Sequence, residues 1–224
     1  MITPAIKQKI IAIVNVFETG SAEGEYDAIA IFPDGRHGSR QITYGRSQTT
    51  EQGNLRNLIG RYIDLNGMFA DAFRQYLPKI GTVPLVDDKE FKRLLKVSAQ
   101  QDPLMRQAQD ETFEILYFAP AMHFFLAEQF ALPLSLLVIY DSFIHSGTVP
   151  GFLRARFAER TPLRGGDEKA WTSAYTQTRQ HWLATHPKKV LRPTVYRTKT
   201  FLNEMNKGNW MLDQPVKTQG VTIP

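Results

Sequence analysis

Helical periodicity along most of the chain, one turn-rich hairpin pattern near its start and a strongly apolar central stretch predict a fold class. It is mainly α with a small β-hairpin or sheet, in two lobes with a cleft between them. The 224 residues form one unit, 1–224, made of those two lobes. The segment 1–50, helix plus hairpin, carries the chemistry-bearing acids, and a central helix at about 133–146 links the lobes.

Each element follows from local chemistry. Thr3-Pro4 starts a helix, and Ile6, Ile10, Ile13, Val14 and Phe17 recur at helical spacing until Gly20 stops it. In YDAIAIFPDGRHGSRQITYG, Ile29 and Ile31 alternate with small residues. A polar turn follows, then Ile42 and Tyr44 alternate again, which predicts a hairpin. After Gly53 the pattern is helical, with Leu55, Leu58, Ile59, Tyr62 and Ile63 on one face and GTVPLVDD interrupting at 81–88. Asp102-Pro103 starts a further helix, and Pro120 and Pro133 divide the apolar stretch that follows. LPLSLLVIYDSFIHSG reads as a buried helix ending at Gly147, and RTPLRGGDE, 160–168, as a loop able to separate lobes. Helices at 168–184 and 194–206 follow, and about the last 15 residues read as an irregular tail.

Composition excludes several function classes. There is no cysteine, so disulfides, thiolate metal sites and thiol nucleophiles are absent. HEXXH is absent too, and neither metal nor cofactor is expected. The longest charge-free stretch, Gln129–Tyr140, has 12 residues, whereas a membrane span needs about 20, so no membrane insertion is expected. The N-terminus MITPAIKQKI lacks a secretory signal pattern. A net charge of +5 favours anionic partners without naming one.

VNVFETG places Glu18 where the first helix runs out, beside Phe17, a site where desolvation can raise a carboxyl pKa. Asp34 opens the polar hairpin loop near Arg36, 16 residues later. A proton-donating acid and an ionised carboxylate across a groove are what glycoside hydrolysis requires. Two of 22 acids on a solvated surface is the competing reading of the same pair.

FETG, DGRHG and ITYG resemble the family-46 chitosanases of the lysozyme superfamily. The resemblance implies a lysozyme-like, chitosanase-like fold with Glu18 as general acid, Asp34 as general base and Thr43 orienting the water. It continues in GNLRNLIGRYIDL, RQAQDETFEILYFAPAM, VIYDSFIHSG and RTPLRGGDE, from about residue 5 to 205. It further implies that Asp141 is a buried aspartate locked by Arg179 and Arg192, and that the reaction is inverting. Inversion needs the carboxyls about 6.5–9.5 Å apart or more. Two departures stand out. The Asp34 loop is longer than the family's, which leaves Asp27, nine residues after Glu18, as a second candidate base. GNL puts Asn54 where chitosanases carry an aspartate that binds the glucosamine amine. Asn54, Arg36 and Tyr44 are the expected sugar contacts.

An asparagine cannot offer an ammonium a full charge, and a basic protein suits an anionic polymer better than a polycation. The expected substrate is therefore an amino-sugar polysaccharide with β-1,4 bonds: peptidoglycan, narrowly ahead of chitosan. A non-enzymatic glycan or anionic-polymer binder is the reading from another class. An immunity or inhibitor protein is an open further partner, and nucleic acid is not expected. The reaction belongs outside the cytoplasm, in the periplasm or beyond, with the export route open. His123 and His145 read as satisfied helix histidines, Arg154, Arg156, Arg160 and Arg164 as a solvated basic face, and Trp171, Trp182 and Trp210 as core or rim.

Overall fold

In the computed structural model, which describes residues 2–46 and 48–224, Thr3 caps the first helix by accepting from the Ile6 N–H at 3.3 Å. Gly20 ends that helix in the left-handed region, at φ 77°. The chain runs α1 (Pro4–Thr19), β1 (Ile29–Phe32), β2 (Gln41–Tyr44), β3 (Thr49–Thr50), α2 (Leu55–Asp64), α3 (Ala70–Arg74), α4 (Lys89–Gln101) and α5 (Pro103–Phe113). A π-helical turn, Glu114–Phe118, leads to α6 (Ala119–Ala127), α7 (Pro133–Ser146), α8 (Gly151–Arg154), α9 (Glu168–Ala184), α10 (Val195–Asn206), β4 (Val216–Thr218) and β5 (Val221–Ile223). The mainly helical class with small antiparallel sheets is as expected.

Two compact units divide the chain: residues 1–22 with 116–224, and residues 23–115. In the first unit α7 is buried along nearly its whole length, and it packs on α1, α6, α9 and α10, all of the same unit. A helix apolar on every side needs neighbours on every side. It is therefore the core of one unit, not the link expected at 133–146. The crossings fall at 22/23 and 115/116, the second inside the π-helical turn, and the loop 160–168 lies within the first unit. The helix and hairpin of segment 1–50 belong to different units.

In the second unit β1, β2 and β3 form an antiparallel sheet with Ile31 opposite Ile42 and Ala30 opposite Thr43. Ile42 and Tyr44 join the core of α2 and α4 side chains. Strand alternation then turns Gln41 and Thr43 to the opposite face. The expected irregular tail is instead the hairpin β4–β5, with Val216 and Ile223 paired and buried. Gln219 and Gly220 at positive φ make its two-residue turn, and alternation in VKTQGVTI was its sequence signal.

Candidate active site

In the first unit, the periodicity that buries Ile10, Ile13, Val14 and Phe17 brings Glu18 to the last turn of α1, with its side chain 12% exposed. Arg197, on α10, donates from Nη2 to Glu18 Oε1 at 2.5 Å and from Nη1 to Asp141 Oδ1 at 2.7 Å. Arg179, on α9, donates to the other oxygen, Asp141 Oδ2, at 2.6 Å. Asp141 and Arg179 are fully buried. Burial pushes the Asp141 carboxyl up, but Arg179 and Arg197 outweigh it and hold the group below its ordinary range. Burial lowers the Arg197 pKa, and the charges of Glu18 and Asp141 more than restore it. Arg197 also lies over the Phe17 ring, 5.4 Å from its centroid, and the Tyr196 hydroxyl donates to the Phe17 carbonyl at 2.7 Å. α1 and α10 are thus pinned together at the acid.

Arg192 is not in this network. It is exposed on the 3-10 turn Lys189–Thr194 and donates to the His186 carbonyl at 2.8 Å. The second arginine is Arg197, which sequence reasoning missed. Its signal was readable: Arg197, Phe201 and Glu204 share the buried face of α10 at spacing i, i+4, i+7.

In the second unit, Asp34 stands exposed in the loop 33–40 and accepts from Gln41 Nε2 at 3.0 Å. Thr43 is buried on the Gln41 face of β2, and its Oγ1 has no hydrogen-bond partner among the described residues. Arg36 is exposed, and its backbone N–H donates to Gln52 Oε1 at 2.6 Å. Asp27 accepts from Gln100 Nε2 at 2.7 Å. Tyr44, expected to meet sugar, is fully buried with its hydroxyl donating to the Leu95 carbonyl at 2.7 Å. Alternation places it on the Ile42 face, in the core, so it has no surface to offer a substrate.

Asn54 precedes α2 and leaves the helix start without a side-chain cap. Its Oδ1 accepts from Asn57 Nδ2 at 3.3 Å. From Asn57 a groove of about 500 Å³ follows α2, lined by Arg56, Gly60, Arg61, Asp64, Leu65 and Leu77. Arg61 is held by Glu111 at 3.1 Å. Among the described residues no group of three or more His, Asp or Glu is gathered to hold a metal ion.

The glycosyl hydrolase family 46 model matches residues 12–216. A chitosanase of Bacillus subtilis (strain 168) is 25% identical over 228 residues, covering 94% of this chain and 80% of that protein. Among solved structures, a mutant chitosanase from Bacillus subtilis MY002 complexed with six GlcN has a TM-score of 0.86 at 23% identity, covering 99% of both chains. A Gynuella sunshinyii GH46 chitosanase in complex with chitotetraose gives 0.83 at 23% identity, covering 99% of this chain and 98% of that one. The fold expected from the sequence is the fold these structures share. The match over nearly the whole chain carries the conclusion: this chain belongs to glycosyl hydrolase family 46 and is a glycoside hydrolase.

Proposed function

We propose that the chain hydrolyses β-1,4 bonds of a glucosamine polymer, chitosan, by a single displacement with water. Glu18 protonates the leaving oxygen, Asp34 activates the water and Thr43 orients it. The family match over residues 12–216 carries this reading, with a chitosanase among the relatives and glucosamine oligomers in two similar structures. These comparisons favour chitosan over the peptidoglycan preference drawn from net charge and Asn54. The reading puts the protein where such a polymer is met, outside the cytoplasm.

Peptidoglycan stays as a second reading because of the α2 groove. Arg56 lines it beside an uncharged Asn57, a setting that suits a carboxylate, although Arg61 is paired with Glu111 and Asp64 lies there too. Incubation with soluble chitosan and with purified sacculi, followed by mass spectrometry of the products, separates the two. Chitosan oligomers are the expected products, with Asn54→Asp raising that rate. Products from sacculi alone would transfer the assignment to peptidoglycan, and products from neither would remove both.

A further inference from the structure

We propose that Gln41 and Gln52 form an amide latch that positions Asp34, an inference that rests on the reading of Asp34 as base. Gln41 is 5% exposed, and its Oε1 accepts from the Gln52 backbone N–H at 3.0 Å. That backbone donor fixes which end of the amide is oxygen, so the NH2 is committed to Asp34 Oδ1, 3.0 Å away. Gln52 grips the rest of the loop. Its Oε1 takes the Arg36 N–H at 2.6 Å, and its Nε2 donates to Ser39 Oγ at 2.9 Å. A Cβ at Gly35 would come within 2.7 Å of both Gln52 Nε2 and Ser39 Oγ, so the loop closes on the latch with no room for a side chain.

The function of such a latch follows from the loop. It is polar and mostly exposed over residues 33–40, and a loop of that length has many conformations to lose. An activating carboxylate must nevertheless stay within a fraction of an ångström of its working position. Gln41 supplies that constraint from a rigid strand, on the sheet face it shares with Thr43. An amide does so without adding a charge beside Asp34. Gln41 and Gln52 are therefore positioning residues.

Gln41→Met keeps the side chain's length and removes its donor. Measured on chitosan, or on sacculi if those are what the wild type cuts, kcat should fall about 100-fold with KM nearly unchanged. Gln41→Glu should be slower still near neutral pH. Its rate relative to wild type should rise as pH falls, because the carboxyl it introduces, once protonated, donates to Asp34 as the amide did. A purely structural role would lower stability without that pH signature. Independently of turnover, the side-chain NH2 resonances of Gln41 should move in Asp34→Asn. Full kcat in Gln41→Met, a flat Gln41→Glu ratio, or unmoved resonances would overturn the latch. If Asp34→Asn itself retains full rate, the base assignment fails instead.

Discussion

Glu18 and Asp34 carry the same functional group and are held in opposite ways. Glu18 closes a helix and is anchored by charge: Arg197 binds it and shares the buried Asp141 with Arg179. Asp34 sits on an exposed loop and is anchored by a neutral amide. A network of buried charges is a unit, since removing one member leaves the others uncompensated in a low-dielectric core. An amide latch is local, and losing it frees one loop. Glu18 is therefore tied into what holds its unit together, whereas Asp34 is a loop carboxylate attached to the sheet by one hydrogen bond.

The largest expected effect tests the first half of this contrast. Asp141→Asn leaves Arg179 and Arg197 buried without their shared counter-charge. The expected cost is about 3–5 kcal/mol of stability, read from urea unfolding midpoints. A loss below 1 kcal/mol would mean the charges are not coupled as the distances indicate.

The next pair sets the two carboxyls against each other. Glu18→Gln and Asp34→Asn should each lower kcat by about 10²–10⁴-fold. Their stabilities should part. Glu18→Gln removes a charged partner of Arg197 and should cost about 1.5–3 kcal/mol. Asp34→Asn, at an exposed position, should stay within about 0.5 kcal/mol of wild type. Equal thermal stability of the two variants would erase the distinction between the network carboxylate and the loop carboxylate.

The same contrast explains what the sequence could reveal. Helix starts were legible because caps are local: Thr3-Pro4 and Asp102-Pro103 carry their own hydrogen-bond acceptor and fixed φ. Asp141 was legible because a charge inside LLVIYDSFI demands a partner. Periodicity marks Arg197 as buried on its own helix, but its pairing with Asp141, 56 residues away, is fixed only by the packing of α10 on α7. Tyr44 is expected among the sugar contacts, yet its alternation with Ile42 already places it in the core. Gln41 is illegible for a different reason. Its hydrogen bond to Asp34 depends on the path of the intervening loop, which no spacing rule encodes. The tail hairpin is faint in the sequence because two three-residue strands give only a short alternation.

The smallest effect uses pH to separate the two anchors. His145, near the end of α7, has its pKa lowered to about 4 by burial first and then by the charges of Arg179 and Arg197, against a pull from Asp141; His186 adds a further small push downward. Its Nδ1 is buried with no hydrogen-bond partner among the described residues. The folded state therefore keeps this imidazole neutral, while the unfolded chain protonates it near its ordinary 6.5. With the folded pKa the lower of the two, its contribution is complete above pH 6.5, declines as pH falls from there to about 4, and is lost below. The slope can reach about 1.4 kcal/mol per pH unit. Urea midpoints at pH 7 and pH 5 should differ for wild type and converge for His145→Gln, whose side chain does not titrate. Asp34→Asn should keep the wild-type pH slope, because the amides of Gln41 and Gln52 add no titrating group. If His145→Gln retains the full slope, the acid sensitivity arises elsewhere, and the charge network is not what makes the Glu18 anchor respond to pH while the Asp34 anchor does not.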